Sequence, residues 1–407
     1  MSVMKTPFED KNILLGVTGS IAAYKAADLA SKLSQAGALV DVILTQAALE
    51  FITRLTFQSV TSRRAYTDED LWGPEGHVQH IGLAKKADLL VIAPATANTM
   101  AKLANGIADN LLSVTALAAN CPLLIAPAMD GGMFSHPATQ ANLNTLRQRG
   151  ALIVGPAEGH LASGLAGTGR MVEPAELLGH IRWRLAQDGP LSGRKVVVTA
   201  GGTQEPIDPV RFIANRSSGK QGFALARAAL DLGAEVALIA APNPQPTPVG
   251  ARRVEVGTAE EMRDAVVAEI PQASALLMAA AVADFRPAGS SKEKIKRNRG
   301  VPELKLETTP DILAGVAELK SRGEFTGIVV GFAAESQNLL ENAREKVRTR
   351  SLDLIVANDI TAKDAGFAVD TNRVTLLDAA GNSEELPLMS KIEVAEKVLE
   401  RVVRLLK

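Results

Sequence analysis

The sequence predicts an α/β protein made of two doubly wound, Rossmann-like domains. Short apolar segments that suit buried parallel strands alternate with amphipathic helical segments along almost the whole chain. Residues 13–17 are typical of such a strand, residues 22–35 of a helix and residues 40–44 of the next strand. Aromatic residues make up only 3% of the chain. The small side chains that replace them allow helices to pack closely against a sheet.

The same alternation continues through both halves of the chain. In the first half we expect strands at residues 88–93 and 123–126 and a terminal helix at residues 175–186. The second half predicts strands and helices in turn, at residues 195–199, 219–232, 235–240, 259–269 and 275–280. Near the end, strands at residues 373–378 and 385–388 flank Ala380-Gly381-Asn382, which is a hairpin signal. A closing amphipathic helix follows from Ser390.

A compact run of chain-breaking residues separates the two halves. Residues 187–193 are Gln-Asp-Gly-Pro-Leu-Ser-Gly, a cluster that interrupts both helices and strands. We therefore place the boundary near residue 189, which gives domains 1–188 and 189–407. Each has the alternation of a nucleotide-binding sheet.

Composition and charge exclude several classes of protein. Lys and Arg number 44 against 45 Asp and Glu, and nucleic-acid binders are usually globally basic, so we expect no nucleic-acid partner. Cys121 is the only cysteine, which excludes a disulfide framework and a cysteine metal cage. Residues 1–11 lack the apolar stretch of a signal peptide, and the apolar run 273–283 is about half a membrane span. We expect a soluble, cytoplasmic protein without a membrane partner.

The turn after the first predicted strand suits an anion. Thr18, Gly19 and Ser20 stand between strand and helix, where backbone N–H groups and hydroxyls can bind a phosphate. The run is not G-x-G-x-x-G, and the next strand ends in Leu44-Thr45-Gln46 without an acidic residue for a ribose. A dinucleotide site is therefore not favoured. A phosphate site and an ordinary strand–helix turn both stay open.

A second group of polar residues follows the strand at residues 88–93. Pro94 breaks that strand, and Thr96, Asn98 and Thr99 follow at its carboxyl end, where open α/β sheets bind ligands. His80 precedes the strand in a chain with five histidines. Its residue type alone leaves a structural and a catalytic role open.

Four segments together resemble the flavin-dependent cysteine decarboxylases: residues 16–25 (GVTGSIAAYK), 80–112, 127–130 (PAMD) and 159–171 (GHLASGLAGTGRM). The resemblance covers residues 11–185. It implies that the domain binds FMN, that His80 is catalytic, and that active sites lie between the subunits of a trimer. The implied FMN-binding residues are Thr18, Gly19, Ser20, Thr45, Pro94, Ala95, Thr96 and Asn98.

The implied reaction explains why a flavin is needed. A C-terminal cysteinyl carboxylate has no electron sink for the carbanion that loss of CO₂ leaves behind. Oxidation of the thiol to a thioaldehyde supplies that sink, and the resulting enethiolate is reduced afterwards, so no net redox change occurs. The cofactor performs the difficult step, while the protein orients and protonates the substrate.

Two implied catalytic positions depart from the family pattern. Asp130 replaces an asparagine that binds the substrate carboxylate, and two charges about 4 Å apart would repel by roughly 4 kcal/mol at an effective dielectric of about 20. Asp130 is therefore protonated, contacts another group, or is offset by a cation such as Arg170. Ser163 stands where a cysteine protonates the intermediate, and a hydroxyl is a much weaker acid than a thiol. Cys121, outside the motif, is expected to be a core thiol.

The second half contains another candidate anion site. Ser217-Ser218-Gly219-Lys220 opens a predicted helix after a long irregular loop, and a helix start with a lysine favours a phosphate. Asp284 follows the end of a predicted strand. Residues 290–300 (SSKEKIKRNRG) form a basic segment, which is either a solvated loop or a flap over a polyphosphate.

These segments resemble the phosphopantothenate–cysteine ligases, over residues 191–400. Together the halves resemble the bifunctional enzymes of coenzyme A biosynthesis. The implied ligase activates 4′-phosphopantothenate with CTP to an acyl-cytidylate and pyrophosphate, after which the amine of cysteine displaces CMP. The resemblance also implies Mg²⁺ on the triphosphate and a dimer. The implied catalytic residues are Asn215, Arg211 and Lys294, and the implied nucleotide-binding residues are Met278, Ala279, Ala280, Asp284, Pro310, Asp311, Ile312, Leu313, Phe332, Lys346 and Arg350.

The sequence leaves alternatives to the bifunctional enzyme. Because of Asp130 and Ser163, the flavin domain could decarboxylate slowly or act on another thiol peptide. It could also be a regulatory subunit that binds a partner protein. A two-domain dehydrogenase is disfavoured because the dinucleotide fingerprint is missing.

Overall fold

The computed structural model describes residues 6–72, 79–161, 164, 166–296, 303–335, 339–359 and 370–407. The chain divides into two compact units, Met1–Leu185 and Ala186–Lys407. Among the described residues, no helix combines the length and the apolar character that crossing a bilayer requires.

The first unit is built on six parallel strands in the order β3-β2-β1-β4-β5-β6. Its strands are β1 (Asn12–Val17), β2 (Leu39–Leu44), β3 (Ala65–Tyr66), β4 (Leu89–Ala95), β5 (Leu123–Pro127), β6 (Leu152–Ile153), β7 (Ala157–His160) and β8 (Ala166–Arg170). Its helices are α1 (Ala23–Gln35), α2 (Arg54–Thr61), α3 (Gln79–Lys86), α4 (Ala97–Asn105), α5 (Leu111–Ala118), α6 (Gly131–Ser135), α7 (Pro137–Gln148) and α8 (Pro174–Ala186). The order reverses between β1 and β4, the usual ligand position in a doubly wound sheet.

Alternate residues of the central strands belong to two separate cores. Ile13 and Leu15 of β1 pack in one apolar cluster with Leu29 of α1, while Leu14 packs in another with Met100 of α4. Successive strand side chains point to opposite faces, so this division places helices on both sides of the sheet. The antiparallel pair β7 and β8 stands outside the main sheet.

The second unit has an eight-stranded sheet in the order β13-β12-β9-β14-β17-β18-β20-β21. The strands of this unit are β9 (Lys195–Ala200), β10 (Gln204–Pro206), β11 (Phe212–Ala214), β12 (Glu235–Ala240), β13 (Ala251–Glu255), β14 (Ala275–Met278), β15 (Phe285–Pro287), β16 (Leu306–Thr308), β17 (Ile328–Glu335), β18 (Leu354–Asp359), β19 (Thr371–Asn372), β20 (Val374–Asp378), β21 (Ser383–Glu385) and β22 (Met389–Ser390). Its helices are α9 (Lys220–Asp231), α10 (Ala259–Glu269), α11 (Ile312–Ser321), α12 (Leu339–Thr349) and α13 (Lys391–Leu405). The first six strands of the sheet are parallel, and β20 and β21 add an antiparallel edge.

The predicted fold class is confirmed, and three local predictions need correction. The final hairpin strand covers Ser383–Glu385 instead of 385–388, because the turn closes early with the Asp378 N–H donating to the Asn382 carbonyl (3.1 Å). The predicted strand 275–280 ends at Met278. The loop predicted as irregular before α9 contains the antiparallel pair β10 and β11.

Candidate active sites

The first candidate site lies at the carboxyl ends of β1 and β4. The buried Thr18 hydroxyl donates to the Pro94 carbonyl oxygen (2.7 Å) and accepts from the Thr96 N–H (3.1 Å). Ala95 is the last residue of β4, and Asn98 is exposed in the first turn of α4. The two turns that the sequence predicted as one site are therefore joined directly through the Thr18 side chain.

The start of α1 completes this site, which we call the mononucleotide cradle (residues 18–20, 45 and 94–98). Helix α1 begins after Ala22, whose side chain cannot cap it, so the positive end of the helix has no side-chain acceptor there. Ser20 Oγ accepts from the Ala22 N–H (3.3 Å). A Cβ on Gly19 would lie 2.5 Å from the Cβ of Ala47, so the loop passes too closely for any other residue. Thr45 is buried beside it.

His80 is the second residue of α3 and is half-buried. Its Nδ1 is buried and has no hydrogen-bond partner among the residues that the structure describes. Such an atom costs about 1–3 kcal/mol, so it fits a nitrogen whose partner is a bound molecule. His180 in α8 has the same unpartnered Nδ1, and burial lowers its pKa. An unpartnered imidazole is therefore not specific to a site.

Asp130 lines a separate open cavity of about 610 Å³, enclosed by α6, Gln140 and the β7–β8 hairpin, and the residues around it include neither His80 nor Thr18. Asp130 caps α6, with Oδ1 accepting from the Gly132 N–H (2.9 Å). The sequence left three possibilities for Asp130: protonation, contact with another group, or an offsetting cation. The structure shows a contact with another group, the Gly132 N–H. Arg170 forms an ion pair with Glu173 (2.8 Å).

Two other residues singled out in the first half are Ser163 and Cys121. Ser163 lies outside the described residues. Cys121 packs partly buried against an apolar cluster, and burial raises the pKa of its thiol. This is the environment of a core thiol rather than a reactive one.

The second candidate site is a cavity of about 1070 Å³ in the second unit, which we call the ligase cavity. Most of the residues predicted for the second half line it, although they come from distant parts of the chain. They are Asn215, Met278, Ala279, Ala280, Asp284, Pro310, Asp311, Ile312, Leu313, Phe332, Lys346 and Arg350. Arg211 and Lys294 are not among the lining residues.

Residues of the neighbouring parallel strands β14, β17 and β18 line this cavity, and β9 pairs with β14 on its other side. Thr199 Oγ1 at the end of β9 accepts from the Ala280 N–H (3.1 Å), which fixes the backbone after β14. Asn215 Nδ2 donates to the Val282 carbonyl oxygen (2.9 Å), which holds the catalytic candidate over the same segment. Helix α9 begins after Gly219, which has φ +74° and no side chain to cap the helix.

Several charged residues line the cavity. Asp311 caps α11 by accepting from the Ala314 N–H (2.9 Å), and its other oxygen pairs with Arg350 (2.6 Å). The predicted nucleotide residues Asp311 and Arg350 therefore contact each other. Asp284 is exposed, and its carbonyl oxygen accepts from the Thr309 N–H (3.0 Å).

A buried carboxylate that the sequence analysis missed joins Arg211 to the basic segment. Asp208 accepts from the N–H groups of Val210 (2.8 Å), Arg211 (2.9 Å) and Ile295 (3.1 Å). The Arg211 guanidinium donates to the Ile295 carbonyl oxygen (2.8 Å). Lys294, next to Ile295, is exposed. The structure thus brings Arg211 and Lys294 together outside the cavity wall.

Other polar residues of the ligase cavity were also missed. Gln221, Asn358, Asn372 and Lys391 line it, and a buried amide oxygen of each of the first three has no partner in the described part of the chain. Asn358 is the last but one residue of the strand β18, so the rule about strand ends could have identified it. Asn372 and Lys391 follow no such signal. No cluster of three His, Cys, Asp or Glu residues suited to a metal occurs in the described ranges.

Together the fold and the two sites define a two-unit protein of the nucleotide-binding α/β class, with a mononucleotide cradle in one unit and a larger polar cavity in the other. Two family models match it. The model described as "Flavoprotein" matches residues 1–186, and "DNA/pantothenate metabolism flavoprotein C-terminal domain" matches residues 191–406.

Comparison with known proteins identifies the family. The "Coenzyme A biosynthesis bifunctional protein CoaBC" of Bacillus subtilis is 45% identical over 401 residues, covering 98% of each chain. The protein of the same name from Vibrio cholerae is 46% identical over 396 residues, covering 96% of this chain and 98% of its own. A solved C-terminal domain of such a protein is 37% identical, with a TM-score of 0.46, and covers 54% of this chain and 98% of its own. The chain belongs to the family of coenzyme A biosynthesis bifunctional proteins, which confirms the predicted resemblance.

Proposed function

We propose that this chain catalyses two consecutive reactions. Residues 189–407 join cysteine to 4′-phosphopantothenate at the expense of CTP. Residues 1–188 decarboxylate the product, 4′-phosphopantothenoylcysteine, to 4′-phosphopantetheine with FMN. The observation that supports this most is the ligase cavity, where side chains from separate loops surround a space large enough for a nucleotide and a second substrate.

The ligase half activates a carboxylate before it forms the amide. The carboxylate oxygen of 4′-phosphopantothenate attacks the α-phosphorus of CTP, and pyrophosphate leaves. The nitrogen of cysteine then attacks the acyl carbon, loses a proton and displaces CMP. Asn215 orients the acyl-cytidylate, while Arg211 and Lys294 stabilise phosphate charge as it develops.

The other cavity residues position the nucleotide. Met278–Ala280 and the turn before α11 enclose the base, Phe332 packs against it, and Asp284 binds the cytosine or its sugar. Lys346 and Arg350 contribute positive charge for the triphosphate, although the Arg350–Asp311 ion pair leaves Arg350 partly neutralised. Mg²⁺ accompanies the triphosphate, which supplies oxygen ligands of the kind that this ion prefers.

The mononucleotide cradle fits FMN. A phosphate at the start of α1 would meet the positive end of a helix without a side-chain cap, beside the hydroxyl of Ser20. Thr18 holds the turns of β1 and β4 in one geometry through its two hydrogen bonds, so this part of the cradle is preorganised. FMN, when bound, supplies reversible oxidation of the substrate thiol.

Three residues of the first unit act on the substrate in this proposal. The unpartnered Nδ1 of His80 provides an imidazole that can hold or move a proton at the substrate. Asp130 lines the cavity beside the β7–β8 hairpin, where its capping bond to Gly132 fixes the carboxylate. Ser163 takes the position at which the family has a cysteine that protonates the reduced intermediate.

We further propose a cytoplasmic homo-oligomer whose substrates are small molecules. The first half forms trimers and the second half forms dimers, so the chain builds a larger closed assembly. Neither a nucleic acid nor a membrane is a partner. The near-neutral balance of charge supports the first of these statements.

One observation favours a second candidate function for the first unit. Asp130 places a carboxylate where the family pattern has an amide, so a substrate carboxylate meets repulsion there. The unit could therefore decarboxylate slowly or act on another thiol peptide, or it could bind a partner protein without catalysis. Release of CO₂ from 4′-phosphopantothenoylcysteine at a rate matching ligation would exclude this candidate.

The ligase reaction is tested through its requirement for all three substrates. Full-length protein should release pyrophosphate from CTP only with 4′-phosphopantothenate, and should release CMP only when cysteine is also present. The proposal would be contradicted if pyrophosphate were released without 4′-phosphopantothenate, or if no pyrophosphate were released from the complete mixture. The purified protein should also be yellow from bound FMN.

A further inference from the structure

Two helix starts meet at one end of the ligase cavity. Lys220 is the first residue of α9 and Lys391 is the first residue of α13, and both line the cavity. Gln221 Nε2 donates to the Lys391 carbonyl oxygen (3.2 Å), which ties the two starts together. Strand β19 pairs with β22, so Asn372 lies beside the chain that leads into Lys391.

This end of the cavity has an excess of positive charge. Lys391 is only 7% exposed, and Lys220 stands close enough for its charge to act on it. Burial, followed by the charge of Lys220, lowers the pKa of Lys391. The counter-charge is Asp370, which pairs with Lys220 (2.5 Å) and whose side chain is 82% exposed. In the part of the chain that the structure describes, these two ammonium groups therefore share one solvated carboxylate.

A buried amide at the same place also lacks a partner. Asn372 is 5% exposed, lines the cavity, and has an unpartnered Oδ1 among the described residues. An amide presents either its oxygen or its NH₂ group after a half-turn of its terminal torsion. Beside two lysines, the NH₂ group is the one that a bound anion would use. With the amide turned in this way, it and the two lysines suit the same class of ligand.

We propose that Lys391, Lys220 and Asn372 form a second anion subsite of the ligase cavity, which binds the two terminal phosphate groups of CTP and the pyrophosphate that they become. The proposal rests on the proposed ligase function, gives Lys391 and Asn372 a role that this function left out, and specifies which phosphates Lys220 meets. The subsite is continuous with residues 217–219, where the uncapped start of α9 faces the cavity, so a triphosphate can extend from one to the other.

The test compares ligands that differ only in their terminal phosphates. Full-length Lys391→Met protein is titrated by calorimetry with CTP in the presence of Mg²⁺, with inorganic pyrophosphate, and with CMP. Removal of one charged contact should weaken the binding of CTP and of pyrophosphate by about tenfold to a hundredfold. The affinity for CMP should stay within about twofold of the wild-type value. Lys397→Met is the matched control, because Lys397 lies on the same helix and pairs with Glu400. It should bind all three ligands as wild type does.

Several results would overturn this subsite. Unchanged CTP affinity in Lys391→Met would do so, and so would equal weakening of CTP and CMP, which would mean a general loss of cavity structure. Weaker binding of 4′-phosphopantothenate with an unchanged affinity for CTP would assign Lys391 to the other substrate. If Lys391→Met does not fold, Lys220→Met, at a one-third exposed side chain, must show the same selective loss. Failure of wild type to bind CTP at all would instead contradict the proposed function.

Discussion

Two side chains, His80 and Asn215, are central to the two proposed reactions, and their surroundings differ. His80 has a buried nitrogen without a hydrogen-bond partner among the described residues. A bound molecule that supplies this partner would remove the free-energy cost of the unsatisfied atom. Asn215 already donates to the Val282 carbonyl and is otherwise exposed at the cavity. The first residue is therefore poised for a partner, while the second is held in position by one.

We predict that His80→Asn abolishes decarboxylation and keeps FMN bound, because asparagine cannot exchange a proton near neutral pH. Release of CO₂ from 4′-phosphopantothenoylcysteine and the visible flavin absorbance of the same sample test the two parts. His180→Asn is the control, since His180 has the same buried, unpartnered Nδ1 in a different helix. Undiminished CO₂ release by His80→Asn would refute the assignment.

We predict that Asn215→Asp stalls the ligase after activation. The carboxylate cannot donate to the Val282 carbonyl, and its charge repels the acyl-cytidylate phosphate. Pyrophosphate should appear in a single turnover, while CMP release falls by about a hundredfold or more. Asn144→Asp, on α7 of the other unit, serves as the control. Normal turnover by Asn215→Asp would show that the amide has no role after activation.

At the scale of elements, the β10–β11 hairpin and the basic segment form one connected structure. The Asp208 carboxylate closes the hairpin turn and also accepts from Ile295, and the Ser291 N–H donates to the Ile207 carbonyl oxygen (2.9 Å). Burial would raise the pKa of Asp208, but the N–H donors and the Arg211 charge hold that pKa below its usual value. The positions of Arg211 and Lys294 therefore depend on the ionised side chain of Asp208.

We predict that Asp208→Asn lowers ligase kcat/KM by about tenfold to a hundredfold and exposes residues 291–296 to proteolysis. The amide NH₂ group would face N–H donors, so at least one of them loses its acceptor. Asp264→Asn, at an exposed pair with Arg263, should change neither property. Equal cleavage and turnover in wild type and Asp208→Asn would contradict this account.

The same carboxylate predicts a pH dependence of stability. A carboxyl group whose pKa is lower in the folded state stabilises the fold above its unfolded pKa of about 3.9, and this stabilisation is lost as pH falls through the folded value. The thermal midpoint of wild type should therefore fall more steeply below about pH 4 than that of Asp208→Asn. Parallel curves for the two proteins would show that Asp208 does not contribute.

The sequence predicted those parts of the sites that follow directly from the order of strands. Residues after β1, β4 and β14 could be assigned because carboxyl ends of parallel strands meet at one edge, and the comparisons confirm the fold class and the family. Lys391 and Asn372 were missed because tertiary contacts, the β19–β22 pairing and the Gln221–Lys391 hydrogen bond, bring them to the cavity from more than 150 residues after the start of α9. The hairpin was missed because Asp208, a side-chain acceptor, closes its turn.

At the scale of the whole molecule, the proposed function makes the product of the second unit the substrate of the first. Both units are doubly wound sheets, and each presents its candidate site at the carboxyl ends of its parallel strands. Fusion of the two activities in one chain keeps them in equal amounts. The order of the units along the chain is opposite to the order of the proposed reactions.

We predict that the molar mass in solution is a whole multiple of both two and three chains. If the first half forms trimer contacts and the second half forms dimer contacts, every chain can make both only in such a closed assembly. Light scattering on full-length protein measures this mass. A monomer, or a trimer or dimer alone, would contradict the proposed assembly.

The central claim is that one chain performs both reactions in sequence. Purified protein should be incubated with 4′-phosphopantothenate, cysteine, CTP and Mg²⁺, and its products followed by mass spectrometry. We expect 4′-phosphopantetheine, formed in the same amount as CMP and CO₂. Accumulation of 4′-phosphopantothenoylcysteine without CO₂, or no product from either step, would contradict the account.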